Sequence, residues 1–203
     1  MSGLMYGIYS VRDTFTIAPE NFDKNIEEVA AEVLRRKYEG KIDKDIGVIV
    51  SVFNIRSISD GMIFPGDPST HHDAEFDALA YMPKVEEIIC GEVTELVEFG
   101  VFVRMGPIEG LVHVSQIANE FFSFDKKVQT FVSKQSGKSI KKGDIVYSKI
   151  STVSMKGTVK DSKIALTMKP EGLGRPEWAE TDAIRSRQQQ RRPKKGGSNK
   201  GNR

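Results

Sequence analysis

Residues 99–116 read FGVFVRMGPIEGLVHVSQ. Two short runs rich in β-branched residues, VFVRM and GLVHV, are parted by a Gly106-Pro107 turn, the pattern of two adjacent strands. Phe99 and Phe102 lie three apart, so a regular strand would send them to opposite faces. Gly100 between them relaxes that parity, because glycine marks bulges and bends in strands. A bulge there would turn both rings to one side. The competing reading is that one of the two phenylalanines is core. If both point outward, they form a platform on which bases stack.

The same pattern extends on both sides. EEIICGEVTELVEF, VFVRM, GLVHV, DIVYSKISTVS and KIALTMK are separated by turn signals at Gly91, Gly106-Pro107, Gly143 and Gly157. Five short strands, with one longer excursion over residues 115–143, predict an all-β, five-stranded OB-fold barrel spanning 84–170. In such barrels nucleic acid crosses strands two and three, where Phe99, Phe102 and His113 fall. Arg104 and the excursion lysines Lys126, Lys127, Lys134, Lys138, Lys141 and Lys142 are candidates for phosphate contacts.

Residues 1–83 read differently. Tyr6, Ile8, Phe15 and Ile17 suggest a half-buried strand that Pro19 ends. NFDKNIEEVAAEVLRRKYEG is the clearest helix, with Ile26, Val29, Ala30, Val33, Leu34 and Tyr38 on one apolar stripe. Asn25 with Glu28 fits a capping box, and Gly40 is a natural stop. IGVIVSVFNIRSIS is a β-branched strand, DGMIFPGDPSTHHD a turn-rich stretch, and AEFDALAYM another strand, with Ala74, Phe76, Ala78 and Ala80 on one face. Pro83 marks a boundary. The expected front domain is α+β, one main helix on an antiparallel sheet.

The chain has 203 residues and a net charge of +2. That balance hides an asymmetry. Residues 1–83 carry 8 Lys+Arg against 14 Asp+Glu, residues 84–170 carry 13 against 10, and residues 171–203 carry 9 against 4. An acidic front and a basic back suggest different partners for each. One cysteine, Cys90, cannot staple a fold, so a reducing compartment is expected, with Cys90 a packing residue. No apolar run approaches the ~20 residues of a membrane span, and the first residues do not read as a signal peptide. After Pro170 the pattern dissolves, so 171–203 is expected to be a disordered basic tail. Its last 19 residues, 185–203, hold 8 basic and no acidic residues.

GEVTELVEFGVFVRMGPIEGLVHVSQI resembles the RNA-binding OB-fold module called the S-one domain. Gly91, Val93, Phe99, Gly100, Phe102, Val103, Gly110, Leu111, Val112, His113 and Ser115 carry the likeness. The module's RNA site, carried over, is Phe99, Phe102 and His113. The front domain, through YEGK, DKDIG and the PGD turn before the His pair, resembles the E-prime family of archaeal DNA-directed RNA polymerase subunits, counterpart of the seventh subunit of eukaryotic RNA polymerase II. The likeness covers residues 5 to 170, and the first four residues precede the family's usual start.

The resemblance implies a non-catalytic, cytoplasmic stalk protein that pairs with the helical F subunit of the polymerase, docks on the polymerase core near the clamp and meets emerging RNA. Its core-docking tip would be DGMIFPGDPS, with Met62, Ile63, Phe64, Pro65, Gly66 and Asp67. A component of an RNA-processing complex and a translation initiation factor remain alternatives, since both use S-one modules. HHDAEFD tempts a metal reading, but His71 and His72 face opposite ways and Glu75 and Asp77 read as a solvated face. No metal, cofactor or catalytic residue is expected; Asp60 and Asp67 read as turn chemistry rather than an acid pair.

Overall fold

The computed structural model describes residues 5–159 and 161–178. The front domain runs β1 (Tyr6–Ile17), a 3-10 turn (Pro19–Asn21), α1 (Ile26–Tyr38), β2 (Ile42–Asp43), β3 (Gly47–Ile58), β4 (Met62–Ile63) and β5 (Thr70–Tyr81). The antiparallel sheet has the order β1-β5-β3-β2, with β4 also pairing β5. Val29, Ala30 and Leu34 of α1 pack on Phe15, Ile17, Val52, Phe76 and Ala78.

Asn25 caps the helix, its side chain accepting from the Glu27 amide at 2.8 Å. Ile26 departs from the expected stripe and is exposed in the first turn. In β1, Phe15 and Ile17 face the helix, whereas Tyr6 and Ile8 are exposed on the opposite, even-numbered face.

Asp77 corrects the solvated-face reading, since it is only 4% exposed. A bulge in β3 between Phe53 and Ser57, with Asn54 at φ 51°, wraps the carboxylate. Asn54 Nδ2 donates to Oδ2 at 2.6 Å, and the Arg56 guanidinium lies 2.7 Å from Oδ1. The Asn54 hydrogen bond and then Arg56 hold Asp77 below the usual carboxylate range, against the opposing cost of burial.

The back half runs β6 (Ile88–Val97), β7 (Gly100–Arg104), β8 (Glu109–His113), β9 (Phe122–Asp125), β10 (Thr130–Ser133), β11 (Ser139–Lys141), β12 (Ile145–Ser154) and β13 (Lys163–Thr167). Strands β12-β13-β8-β7-β6 close into the five-stranded barrel, with only the β8–β13 pair parallel. Val93, Val101, Val103, Val112, Ile150 and Leu166 fill it. The excursion is more than a loop. It folds into an antiparallel sheet of order β11-β10-β9, whose Phe122, Phe131 and Ile140 join the barrel's hydrophobic cluster.

The two halves share that cluster, because Val48 and Tyr81 of the front sheet belong to it. The Tyr6 and Tyr81 rings lie 4.8 Å apart, and the Tyr81 hydroxyl, pushed up to about 12 by burial and then by Tyr6, donates to Met5 Sδ at 3.5 Å. Gly106, at φ +89°, leaves room for Tyr6, whose Oη would stand 2.4 Å from any Cβ there.

The expected disorder needs correction over residues 171–178. Tyr147 and Gly174 exchange two backbone hydrogen bonds of 2.8 Å. Leu173 and Trp178 are buried, and the indole sits 6.0 Å from Phe122 with Lys138 Nζ 5.2 Å above it. Arg175 reaches Asp144 at 3.4 Å. A charge-rich stretch without periodicity hid one large aromatic that fills a gap between barrel and excursion. Replacing Trp178 with alanine is expected to cost about 3 kcal/mol, read as a lowered urea midpoint of the full chain. The rest of that tail, residues 179–203, lies outside the described residues. Among the described residues, no helix is long and apolar enough to cross a membrane.

Candidate nucleic-acid interface

Three cross-strand rows make the outer face of β6, β7 and β8. Val97, Gly100 and His113 form one row, Glu95, Phe102 and Leu111 the next, and Glu92, Arg104 and Glu109 the third. Opposed residues in a sheet point to the same side, so Phe102, Arg104 and His113 share one surface.

Phe99 joins them by a different device from the bulge expected at Gly100. It stands in the turn before β7, outside the strand's alternation, with its carbonyl accepting from the Val114 amide at 2.9 Å. Its ring is 51% exposed and meets Phe102 edge-to-face, with centroids 6.5 Å apart. The bulge lies in β6 instead, between Val93 and Glu95, and it sets Glu95 rather than Thr94 beside Phe102. Gly100 serves close approach, since a Cβ there would meet the Val112 carbonyl oxygen at 2.3 Å.

His113 ends β8 exposed, and Ser115 fixes its ring. The Ser115 amide donates to Nδ1 at 3.2 Å, and its hydroxyl lies 2.8 Å from the same nitrogen. With Nδ1 accepting, the neutral ring carries its proton on Nε2, facing outward as a donor. The His-x-Ser spacing thus has a geometric purpose: the serine aims the imidazole.

The cations divide. Arg104 stands beside the aromatic rows, 3.6 Å from Glu109. Lys126, in the β9–β10 turn, pairs with Glu98 next to Phe99, which brings that turn to the aromatic end; Lys127 follows it, its amide donating to Asp125 at 2.8 Å. Lys141 and Lys142 lie where the excursion returns to the barrel, beside Val93, whose carbonyl accepts from the Gly143 amide. Val93 pairs with Val103, next to Phe102, while its own amide and carbonyl bond Asp144 and Gly143, so this lysine pair lies across β6 from the strand that carries Phe102.

Sequence reading missed the carboxylates. Glu92, Glu95, Glu98 and Glu109 border the aromatic face, against Arg104 and Lys126. The basic balance of this half is therefore not displayed on its aromatic surface. The β6 bulge hid this, because one inserted residue changes which side chains share a face.

The front tip is a built turn. Met62, Ile63 and Phe64 are exposed, with Pro65 and Gly66 beside them. Asp67 Oδ1 accepts from the Ser69 amide at 2.9 Å, Oδ2 lies 2.9 Å from His71 Nε2, and the His71 ring meets Phe64 edge-on at 4.9 Å. The Ser69 amide and then His71 hold the Asp67 carboxyl below its ordinary range. His72 is core: it stacks on Phe15, with Ser59 O and Thr70 Oγ1 on its two nitrogens. Among the described residues no three His, Cys, Asp or Glu gather to hold a metal. Cys90, expected to pack, is exposed on β6 opposite Tyr147, because its position falls on the outward parity of the strand.

Comparison with known proteins covers both halves. The SHS2 domain found in the N terminus of Rpb7p/Rpc25p/MJ0397 matches residues 12–68, and the S1 RNA binding domain matches residues 82–164. The chain is 40% identical over 174 residues to DNA-directed RNA polymerase subunit Rpo7 of Sulfolobus acidocaldarius, covering 86% of this chain and 94% of that protein. Against Rpo7 of Saccharolobus shibatae the identity is 38%, covering 86% and 97%. DNA-directed RNA polymerase III subunit RPC8 of Bos taurus is 25% identical over 63% of each chain.

Proposed function

The chain belongs to the Rpo7 family and is a stalk subunit of DNA-directed RNA polymerase, and we propose that it works there without chemistry of its own. In this reading it acts in the cytoplasm, pairs with the polymerase's F subunit, docks by its tip near the clamp and holds emerging transcript on the barrel. The observation that carries the RNA role is the outward set of Phe99, Phe102 and the aimed His113 on an S1-type barrel. Arg104, Lys126 and Lys127 flank it, and Lys141 and Lys142 would meet phosphates further along the strand. A translation-factor or RNA-processing reading needs the S1 domain alone, whereas the likeness to Rpo7 runs through both halves.

The F subunit fits a second surface. Ile88, at 59% exposure, Cys90, Ile145 and Tyr147 lie together on the outer side of β6 and β12, next to the exposed Val85 of the inter-domain link. Tyr6 and Ile8 add apolar surface on β1. An apolar patch of this kind marks a protein contact. It shares β6 with the aromatic rows, where Glu92 pairs with both Ile145 and Arg104, and extends from there onto β12. Co-expression with the F subunit is expected to give a one-to-one complex by size exclusion and to raise the soluble yield. A monodisperse chain that ignores this partner would remove the pairing.

A further inference from the structure

The aromatic face is bordered by more negative than positive charge, an unusual setting for a surface that meets a polyanion. Arg104 stands between Glu92 on β6 and Glu109 on β8 in the same cross-strand row. Lys126 reaches across from the β9–β10 turn to Glu98, beside Phe99. Arg104 and Lys126, on either side of the rings, are thus each already held by a carboxylate of this chain. Both pairs are open to solvent. Water and ions therefore screen them, and exposed pairs of this kind are weak enough to exchange.

We propose that Glu98 and Glu109 are built-in competitors of the RNA phosphates, carboxylates that a bound strand displaces from Lys126 and Arg104. The inference rests on the reading of this face as the RNA site. A phosphate oxygen and a carboxylate oxygen offer a lysine or arginine the same kind of charge-assisted acceptor. The strand gains each cation only by releasing its carboxylate, so the phosphate contribution to affinity is discounted at both places. Stacking on the rings is not discounted, because it needs no charge. The consequence is a surface that holds any base transiently and lets the strand move on. It also sets the strand's orientation: bases lie over Phe99 and Phe102, while phosphates stay off the row of β6 glutamates, where they would meet like charge.

The test uses the full chain and a fluorescently labelled single-stranded oligouridylate. Glu98→Gln should tighten binding by about two- to five-fold, the range an exposed ion pair commands. The same substitution in a Lys126→Ala background should change affinity little, because the cation it frees is gone. Glu109→Gln with and without Arg104→Ala makes the parallel cycle. If Glu98→Gln and Glu109→Gln tighten binding equally with or without their cations, the carboxylates act by general repulsion and the competition is overturned. If neither changes affinity while the unmodified chain binds, the proposal is likewise overturned and the RNA site stands. Failure of the unmodified chain to bind RNA would overturn the RNA reading itself, and this inference with it.

Discussion

Replacing Phe99, Phe102 and His113 together with alanine lowers the affinity of the full chain for single-stranded RNA by about a hundred-fold or more. Each base stacked on an aromatic contributes ~1–3 kcal/mol, so two rings with a hydrogen-bonding imidazole beside them reach about 3 kcal/mol near the low end. Phe99 meets Phe102 edge-to-face and is half open to solvent, so its removal costs the fold little. A thermal melt of the triple variant close to that of the parent separates lost binding from lost structure. Unchanged affinity in a folded triple variant would take these three residues out of the RNA site.

The single substitutions should not sum to the triple. Phe99 and Phe102 touch, so each orients the other, and contacting residues couple. Salt offers an independent check. Each phosphate contact adds about −0.7 to the slope of log affinity against log salt for a single strand. The triple variant removes stacking and a neutral donor, so the slope should stay near that of the parent while affinity falls throughout.

Much of this site was legible because its signals are local. Glycines at turns and alternating β-branched runs gave the five strands, and the helix announced itself by its stripe and by Asn25. Phe99, Phe102 and His113 stood out because aromatics and a histidine at regular spacing have few uses on a small barrel. What stayed hidden depends on register. No spacing tells that β6 bulges at Val93–Glu95, so the ring of glutamates was invisible even though every one of them was in view. Asp77 looked solvated for the same reason, because the β3 bulge that brings Asn54 and Arg56 over it leaves no mark in the alternation. Trp178 was missed through long-range packing: its partner Phe122 lies far back in the chain, inside an excursion that carried no strand signal of its own.

The second large effect belongs to the other end of the molecule. Replacing Ile63 and Phe64 with serine should weaken association with stalk-free polymerase core by about a hundred-fold or more, while RNA binding by the isolated chain stays at the parent level. Ile63 is 68% exposed and Phe64 49%, in a turn that Asp67 and His71 hold in place. Burying two such side chains in a partner yields ~1.5–3 kcal/mol each, and serine forfeits most of it. The turn itself should survive, because Asp67, Ser69 and the β4–β5 pairing of Met62 and Ile63 through the backbone are untouched. Independence from RNA follows from distance. The tip joins β5 at Thr70 and His71, whereas the barrel cluster takes up Tyr81 at the far end, eleven residues or roughly 36 Å along the strand. A perturbation confined to the turn therefore starts far from the barrel cluster. Reconstitution with core enzyme, followed by pull-down and by RNA anisotropy on the same preparation, reads both arms. Undiminished core association would remove the tip from the docking account, and equal loss in both arms would mean that the substitutions had unfolded the chain.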